Sequence, residues 1–389
     1  MARLTGDIPG QRRFKVGMVG GGQGAYFASY HRAAMRLCNR FEIVAGAFSS
    51  DADKCREAGT AFNLEQDRIY LSFAEMAAAE SRRPDPIDAV VIVTPNHLHF
   101  EPCRLFLQAG IPVICDKPLV NDPQEAYGLA SIAERHNTFF AVTYTYQGYP
   151  MVRDARSRIQ SGELGEIRFM YVEYLLEWLA PGVDGLSKSL AWRGDPAKAG
   201  PTGALGDVGT HAFNMLEFLS GRRCTSLNAK LTTVVPGWGL DDTSVVQLEF
   251  AGGADGLLWA SFAAPGHRNG LRFKIIGSKA SLEWCQETPE TLLFTPIDGA
   301  DRIYRRGQSD NAAQTLTFTS LPAGNCEGYL EALAVLYADF AEALDAGAGW
   351  RTATTVPLPD IHEGVRGVVL SQACVESSKR RAWVAFPDQ

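Results

Sequence analysis

Asp207 and His211 stand four residues apart in the run Gly203-Ala204-Leu205-Gly206-Asp207-Val208-Gly209-Thr210-His211. On a helix that spacing puts a carboxylate and an imidazole on one face, one turn apart. Alone, the pair reads better as a helix-start carboxylate with a structural histidine. Beside the motifs described next, a catalytic pair is the better reading. Val208, Ala212, Met215 and Leu219 form the neighbouring apolar stripe and are expected to pack on a sheet. Gly203, Gly206 and Gly209 are costly in a helix and are expected to clear space for a ligand. Too few further ligands follow at suitable spacing for a metal site, and no metal is expected.

A second group lies at the ends of apolar runs in the first third of the chain. Gly20-Gly21-Gly22-Gln23-Gly24-Ala25 follows Phe14–Val19 and opens a helix. In the pattern Gly-x-Gly-x-x-Ala, Gly20 makes the tight turn and Gly22 admits a pyrophosphate. Ala25 takes the third glycine's place at the helix contact, and the helix N-terminus offers amides to the phosphates. The acid expected about 20 residues on, at the ribose, is displaced or absent: the second strand ends Ala47-Phe48-Ser49-Ser50-Asp51. Asp51 can reach a 2′-hydroxyl, while Ser49 and Ser50 tolerate a 2′-phosphate, so NAD is expected and NADP is possible. Thr94-Pro95-Asn96-His97-Leu98-His99 ends the third strand, where Thr94, Asn96 and His99 face the cofactor or cap the next helix. Cys115-Asp116-Lys117-Pro118-Leu119 ends the fourth. Beside a nicotinamide ring the Lys117 ammonium is disfavoured, which suits it to proton transfer or to polarising a hydroxyl; a solvated lysine is the plainer alternative.

The elements that must hold these residues follow from periodicity. From residue 14 to about 143, short β-branched runs alternate with amphipathic stretches, the signature of a parallel sheet covered on both faces. Strands are predicted at Phe14–Val19, Phe41–Phe48, Asp88–Val93, Val113–Cys115 and Thr138–Tyr144. After Pro150 the pattern becomes a helix, Met151–Ser161, then period-two runs at Ile167–Leu175, Asn228–Val235, Thr243–Phe250, Gly256–Phe262, Leu271–Gly277 and Ala280–Cys285. Helices are interposed at about Ala204–Leu219 and Gly328–Ala346. Short glycine turns between successive runs imply antiparallel pairing. The predicted fold is an α/β Rossmann domain over 1–143, followed over 144–389 by an α+β domain with a large open, mostly antiparallel sheet. The free face of that sheet suits a second copy of the chain.

Composition sets the outer limits. In 389 residues there are 37 Lys+Arg against 44 Asp+Glu, a net charge of −7, with 46% hydrophobic and 21% charged residues. That is ordinary globular usage without a basic patch, which argues against nucleic acid and anionic lipid as partners and for a small molecule. No apolar run reaches the ~20 residues of a membrane span. The eight cysteines form no Cys-x-x-Cys pair and read as reduced thiols in a cytoplasmic protein. Arg12-Arg13 precedes a strand and is read as a basic flank, not an export signal.

Taken in order, Gly20-x-Gly22-x-x-Ala25, Thr94-Pro95-Asn96-x-x-His99, Asp116-Lys117-Pro118 and the Gly203–His211 run resemble the glucose–fructose oxidoreductase / inositol dehydrogenase / MocA (Gfo/Idh/MocA) family over nearly the whole chain. Asp116 stands where that family usually has Glu. Gly328-Tyr329-Leu330-Glu331-Ala332 resembles a helix start of its sugar-oxidising members. The resemblance implies His211 as the acid/base on a substrate hydroxyl, a role a side chain titrating near pH ~6.5 can fill. It implies Asp207 as substrate ligand or orienter of the imidazole, and Lys117 as their assistant. It also implies a homodimer or homotetramer through the free face of the second domain's sheet. Tyr144, Tyr146 and Gln147, after the fifth strand, are candidate substrate residues, although the family's usual Asn/His-Arg wording is missing. Trp192-Arg193 resembles a segment of inositol and sugar dehydrogenases; Arg193 can donate to hydroxyls or cofactor and Trp192 can stack on a pyranose, or both can pack. Glu173 and His267 are further cleft candidates, and His31, His136 and His362 read as structural or exposed. The wording is closest to inositol and levoglucosan dehydrogenases, implying NAD(P)-dependent oxidation of a secondary hydroxyl of a sugar, anhydrosugar or cyclic polyol. Alternatives are an NAD-dependent glycosidase working by transient oxidation and elimination, and a non-catalytic sugar or nucleotide sensor of the same fold.

Overall fold

The computed structural model describes residues 11–387, which divide into two compact units: 11–148 with 329–365, and 149–328 with 366–387. Residues 329–365 thus group with the first unit, whereas the sequence reading placed everything after 143 in the second domain.

The first unit is built on a five-stranded sheet in the order β2-β1-β3-β4-β5, with every pair parallel. Its strands are β1 (Phe14–Val19), β2 (Phe41–Ala47), β3 (Ala89–Ile92), β4 (Val113–Cys115) and β5 (Phe140–Val142). Every residue of β3, β4 and β5 is buried, as a sheet covered on both faces requires. The predicted strands are recovered with ends trimmed by a residue or two. The helices are α1 (Tyr26–Cys38), α2 (Ala52–Ala61), α3 (Phe73–Glu80), α4 (Phe100–Gln108) and α5 (Pro123–Arg135). In α1 the inward stripe is Ala28, His31, Ala34, Met35 and Cys38, and Asn39 ends the helix in the left-handed region. The chain leaves β1 towards β2 and returns across it to β3, so the ends of β1 and β3 flank a topological switch point, where open α/β sheets bind ligands.

Aromatic packing explains the return of 329–365 to this unit. Tyr337 meets Phe41 at 5.4 Å between ring centroids, Phe340 meets Phe139 at 6.1 Å and Phe139 meets Trp350 at 5.2 Å. Tyr337 and Phe340 are fully buried, and burial of a side chain like Phe340 is worth roughly 2 kcal/mol. Beyond them the Val142 amide donates to Pro359 O at 2.8 Å, covering the edge of β5.

The second unit opens with α6 (Pro150–Gln160) and β6 (Ile167–Leu175), then α7 (Thr210–Ser220). It continues through β7 (Cys224–Thr232), β8 (Thr243–Phe250), β9 (Ala254–Ser261), β10 (Gly270–Gly277), β11 (Ala280–Cys285), β12 (Thr291–Pro296) and β13 (Arg302–Arg305). After α8 (Tyr329–Ala346), which belongs to the first unit, come α9 (Ile361–Arg380) and β14 (Val384–Ala385). The nine strands run β13-β12-β11-β10-β6-β9-β8-β7-β14. All pairs are antiparallel except β6 with β9. On β6, Met170, Val172 and Tyr174 are buried, and α7 packs against this strand. Strands β12 to β14 and helix α9 were not predicted.

Candidate active site

In the first unit the chain leaves β1 through Gly20, which has φ +81°. A Cβ there would lie 2.9 Å from Thr94 Cγ2, so only glycine lets the ends of β1 and β3 meet. The Gly20 amide donates to Ala47 O at 2.9 Å and ties the turn to β2. At Gly21 a Cβ would lie 2.8 Å from Ala28 Cβ. The close approach of turn to helix assigned to Ala25 therefore falls on Gly21, because Ala25 is the N-cap of α1. A Cβ on Gly22 would face Phe48 O at 3.2 Å, while Gly24 has open space and, with Gln23, is exposed. Ala25 has no capping side chain, and no acid stands in the first turn of α1. An anionic diphosphate fits these amides and the helix dipole. Arg32 braces the turn: its Nη1 donates to Gly21 O at 2.7 Å and its guanidinium lies 4.5 Å from the centre of the Phe62 ring. Arg32 was missed, since its spacing matches that of a solvated helix residue.

Beyond β2, Asp51 caps α2: its Oδ1 accepts from the Asp53 and Lys54 amides at 3.1 Å each. Ser49 Oγ accepts from the Asp51 amide at 3.1 Å, and Ser50 is exposed. Beyond β3, Thr94 is half-buried, and buried Asn96 donates through Nδ2 to Asn121 Oδ1 at 2.8 Å. His99 is buried with both ring nitrogens committed to backbone. Nε2 faces Thr94 O at 2.7 Å, and Nδ1 faces Pro118 O at 2.9 Å and Leu119 O at 3.0 Å. Burial lowers its pKa, against the opposing pull of Asp116 and these carbonyls. In this geometry His99 clasps the end of β3 to the turn that carries Lys117.

That turn follows β4 and contains a cis Lys117-Pro118 bond. Asp116 Oδ1 accepts from the Lys117 amide at 2.9 Å and from Thr143 Oγ1 at 2.7 Å. Lys117 is half-buried. Burial works to raise the Asp116 pKa, but the His31 ring, the Lys117 ammonium and the Thr143 hydroxyl together bring it below the usual carboxylate range. His31, read as structural or exposed, is buried with Nε2 3.7 Å from Asp116 Oδ1. After β5, Tyr144, Tyr146 and Gln147 are all buried. Tyr144 Oη donates to Glu363 O at 3.4 Å, and Tyr146 packs on Tyr329 with centroids 6.0 Å apart.

In the second unit the expected regular helix from 204 begins instead as a π-helical turn, Leu205–Gly209, continued by α7 from Thr210. The start is fixed from outside. Buried Asp241 accepts from the Gly203 amide at 2.6 Å, the Leu205 amide at 2.9 Å and Ser244 Oγ at 2.7 Å. Burial raises its pKa against these bonds. The glycines do not open space for a ligand as expected. A Cβ at Gly203 would lie 2.3 Å from Asp241 O, at Gly206 2.8 Å from Thr202 Oγ1, and at Gly209 2.8 Å from Leu205 Cδ1. They make room for the protein's own packing.

Within this frame Arg193 Nε donates to Asp207 Oδ2 at 2.8 Å, and the Arg193 guanidinium lies 4.9 Å from the centre of the Trp192 ring. Arg193 is thus joined to Asp207, a pairing the sequence did not suggest. His211 is buried with its ring 6.1 Å from that of Tyr174, whose hydroxyl donates to Asn269 Oδ1 at 2.6 Å. Glu173 alternates with Tyr174 along β6 and so points to the other face, where it accepts from the Tyr171 hydroxyl at 2.5 Å and meets Arg272 Nε at 3.8 Å. Tyr174, which the sequence reading did not select, is therefore the β6 residue beside His211. His267 is half-buried against Ala264 O, His362 pairs with Glu134 at 3.2 Å, and His136 is exposed.

A glycine turn at the switch point of a parallel sheet and a lysine turn two strands away make the first unit a Rossmann-type fold, and the second is an α+β unit that carries the Arg193–Asp207 pair and His211. The sequence matches "Oxidoreductase family, NAD-binding Rossmann fold" over residues 14–144 and "GFO/IDH/MocA C-terminal domain" over 152–283. The chain belongs to the Gfo/Idh/MocA family of oxidoreductases. It is 32% identical to the uncharacterized oxidoreductase YfiI of Bacillus subtilis, over 98% of this chain and 99% of that one. It is 28% identical to levoglucosan dehydrogenase of Pseudarthrobacter phenanthrenivorans, over 97% and 99%. An inositol dehydrogenase homologue from Azotobacter vinelandii, solved with NAD+, superposes with a TM-score of 0.91 at 36% identity, over 96% and 98%. That homologue has also been solved with NADH and myo-inositol. Among the described residues no helix is long and apolar enough to cross a membrane.

Proposed function

We propose that this protein oxidises a secondary hydroxyl of a sugar, anhydrosugar or cyclic polyol. The observation that carries the reading is the Asp207 carboxylate held by Arg193 at 2.8 Å, one turn before a buried histidine. NAD, when bound, accepts the hydride. Residues of the glycine turn and the amides opening α1 hold its diphosphate, and Asp51, Thr94 and Asn96 stand at the strand ends beside it. His211 takes the hydroxyl proton, Asp207 binds the substrate with its carboxylate fixed by Arg193, and Lys117 polarises the hydroxyl. The A. vinelandii homologue with myo-inositol and the levoglucosan enzyme support a cyclic polyol or anhydrosugar as substrate class. We also propose a cytoplasmic setting, on the cysteine spacing, and assembly through the open face of the nine-stranded sheet.

The test follows nicotinamide absorbance with NAD and with NADP across inositols, hexoses, glycosides and anhydrosugars. NAD reduction by at least one cyclic polyol or anhydrosugar is expected. His211→Ala and Lys117→Ala should each lower kcat about 100-fold or more, the usual size of an acid–base contribution. Full turnover in either variant removes that residue's role. Release of sugar without net NADH would point to a glycosidase, and binding without turnover to a sensor.

A further inference from the structure

The Asp116 carboxylate fixes the backbone from which Lys117 leaves the sheet, and a buried pair of side chains stands behind it. His31, on the inward face of α1, sets Nε2 3.7 Å from Asp116 Oδ1, and its Nδ1 is 2.8 Å from the Tyr337 hydroxyl on α8. Tyr337 is fully buried. Burial first, then the Asp116 and Cys38 charges, keep its phenol protonated far above neutral pH. A buried phenol must donate its proton, and the partner facing it is Nδ1. That bond selects the tautomer of His31 whose Nε2–H faces Asp116.

We propose that His31 and Tyr337 are positioning residues that hold the Asp116 carboxylate, and through it the Lys117 turn, against the helix that receives the cofactor diphosphate. The inference rests on the role given to Lys117 above. Three donors then converge on one carboxylate from three elements: His31 from α1, the Lys117 amide after β4 and Thr143 after β5. Tyr337 adds a fourth element, α8, and accounts for a buried polar pair in what is otherwise an aromatic seam. Without the Nε2–H the carboxylate keeps its bonds to the Lys117 amide and Thr143 but loses its tie to α1, and the turn carrying Lys117 is held less closely to that helix. A displacement of 1 Å at a reacting group costs up to about 100-fold in rate.

Three variants test this. His31→Gln keeps an N–H donor near the Nε2 position, His31→Leu removes it, and Tyr337→Phe leaves the imidazole but frees its tautomer. With a substrate found in the panel above, His31→Leu should lower kcat about 10-fold or more while the NAD Kd, read by fluorescence titration, stays within about 2-fold. His31→Gln should recover most of the loss, and Tyr337→Phe should fall between. A residue that merely fills space would give equal kcat in Leu and Gln.

A second readout needs neither cofactor nor turnover. The titratable groups facing Asp116 are His31 from α1, Tyr337 from α8, His99 before α4, Cys115 at the end of β4, and Lys117 on its own turn. Because the Asp116 pKa is lowered on folding, its contribution to stability is complete above the unfolded carboxyl value of about 3.9 and is lost as pH falls through the folded value. Melts of the cofactor-free protein from pH 2 to 6 should therefore show a Tm penalty of His31→Leu that is largest above pH ~4 and shrinks below it. In an Asp116→Asn background that pH dependence should vanish. A penalty independent of pH, or unchanged by Asp116→Asn, overturns the proposal. If Lys117→Ala keeps full activity while the melts behave as described, the role of Lys117 fails and the His31–Asp116 link stands.

Discussion

Two helix starts in this molecule meet the same problem in opposite ways. An α-helix begins with amides that have no partner within the helix. At α1, beside the glycine turn, Ala25 offers no cap and no acid stands in the first turn. At the π-helical turn that leads into α7, Asp241 reaches in from the segment before β8 and takes the Gly203 and Leu205 amides. The first start is left without a side-chain cap. The second is closed by the protein itself, and so fixes a carboxylate and an imidazole one turn further on. A missing cap suits a site that needs donors, and a cap supplied from elsewhere in the fold suits one that needs a rigid side chain.

The largest expected effect comes from opening the closed start. Asp241→Ala strands two amides and the Ser244 hydroxyl in a buried site. Each stranded group costs about 1–3 kcal/mol. Denaturant unfolding should show a loss of at least ~2 kcal/mol, and kcat should fall because Asp207 and His211 lose their seat. Wild-type stability in this variant would mean that the turn holds itself.

Closing the open start should give a smaller effect with the opposite sign on stability. Ala25→Asp supplies a good N-cap, worth about 1 kcal/mol, and puts a negative charge where the diphosphate should sit. A raised Tm together with a Kd for NAD at least about 10-fold weaker, by calorimetric titration, is expected. Unchanged affinity would remove α1 from the cofactor site. The smallest change is expected at α2, where Asp51 is already engaged as the cap. Asp51→Asn keeps that bond and removes the charge. The ratio of kcat/KM for NAD over NADP should fall by about 3-fold, and no change would leave the choice between cofactors to other groups.

The parts legible in the sequence were those whose signal is local. Gly20 announces its turn because few residues other than glycine adopt φ +81° beside a close neighbour. The β-branched runs announce a parallel sheet because both faces are buried. Asp207 and His211 are marked by a spacing of four residues, and the turn between them proves to be π-helical. What escaped notice depends on partners distant in sequence. His31 read as an ordinary helix histidine because Asp116 and Tyr337 are its neighbours only in the fold, the latter 306 residues away. Asp241 lies 38 residues from the amide of Gly203 that it caps. Arg193 looked free to bind hydroxyls until the fold set it beside Asp207.

The sequence alone therefore determined the two kinds of sheet, the glycine turn after β1, the family and the chemical types at the strand ends, since each is written in spacing over a few residues. Only the tertiary structure decided that 329–365 pack with the first unit, that the glycines before His211 serve close packing, and that His99 and Asp116 are held by backbone and buried neighbours. Burial and long-range hydrogen bonds set those outcomes, and both depend on which segments the fold brings together.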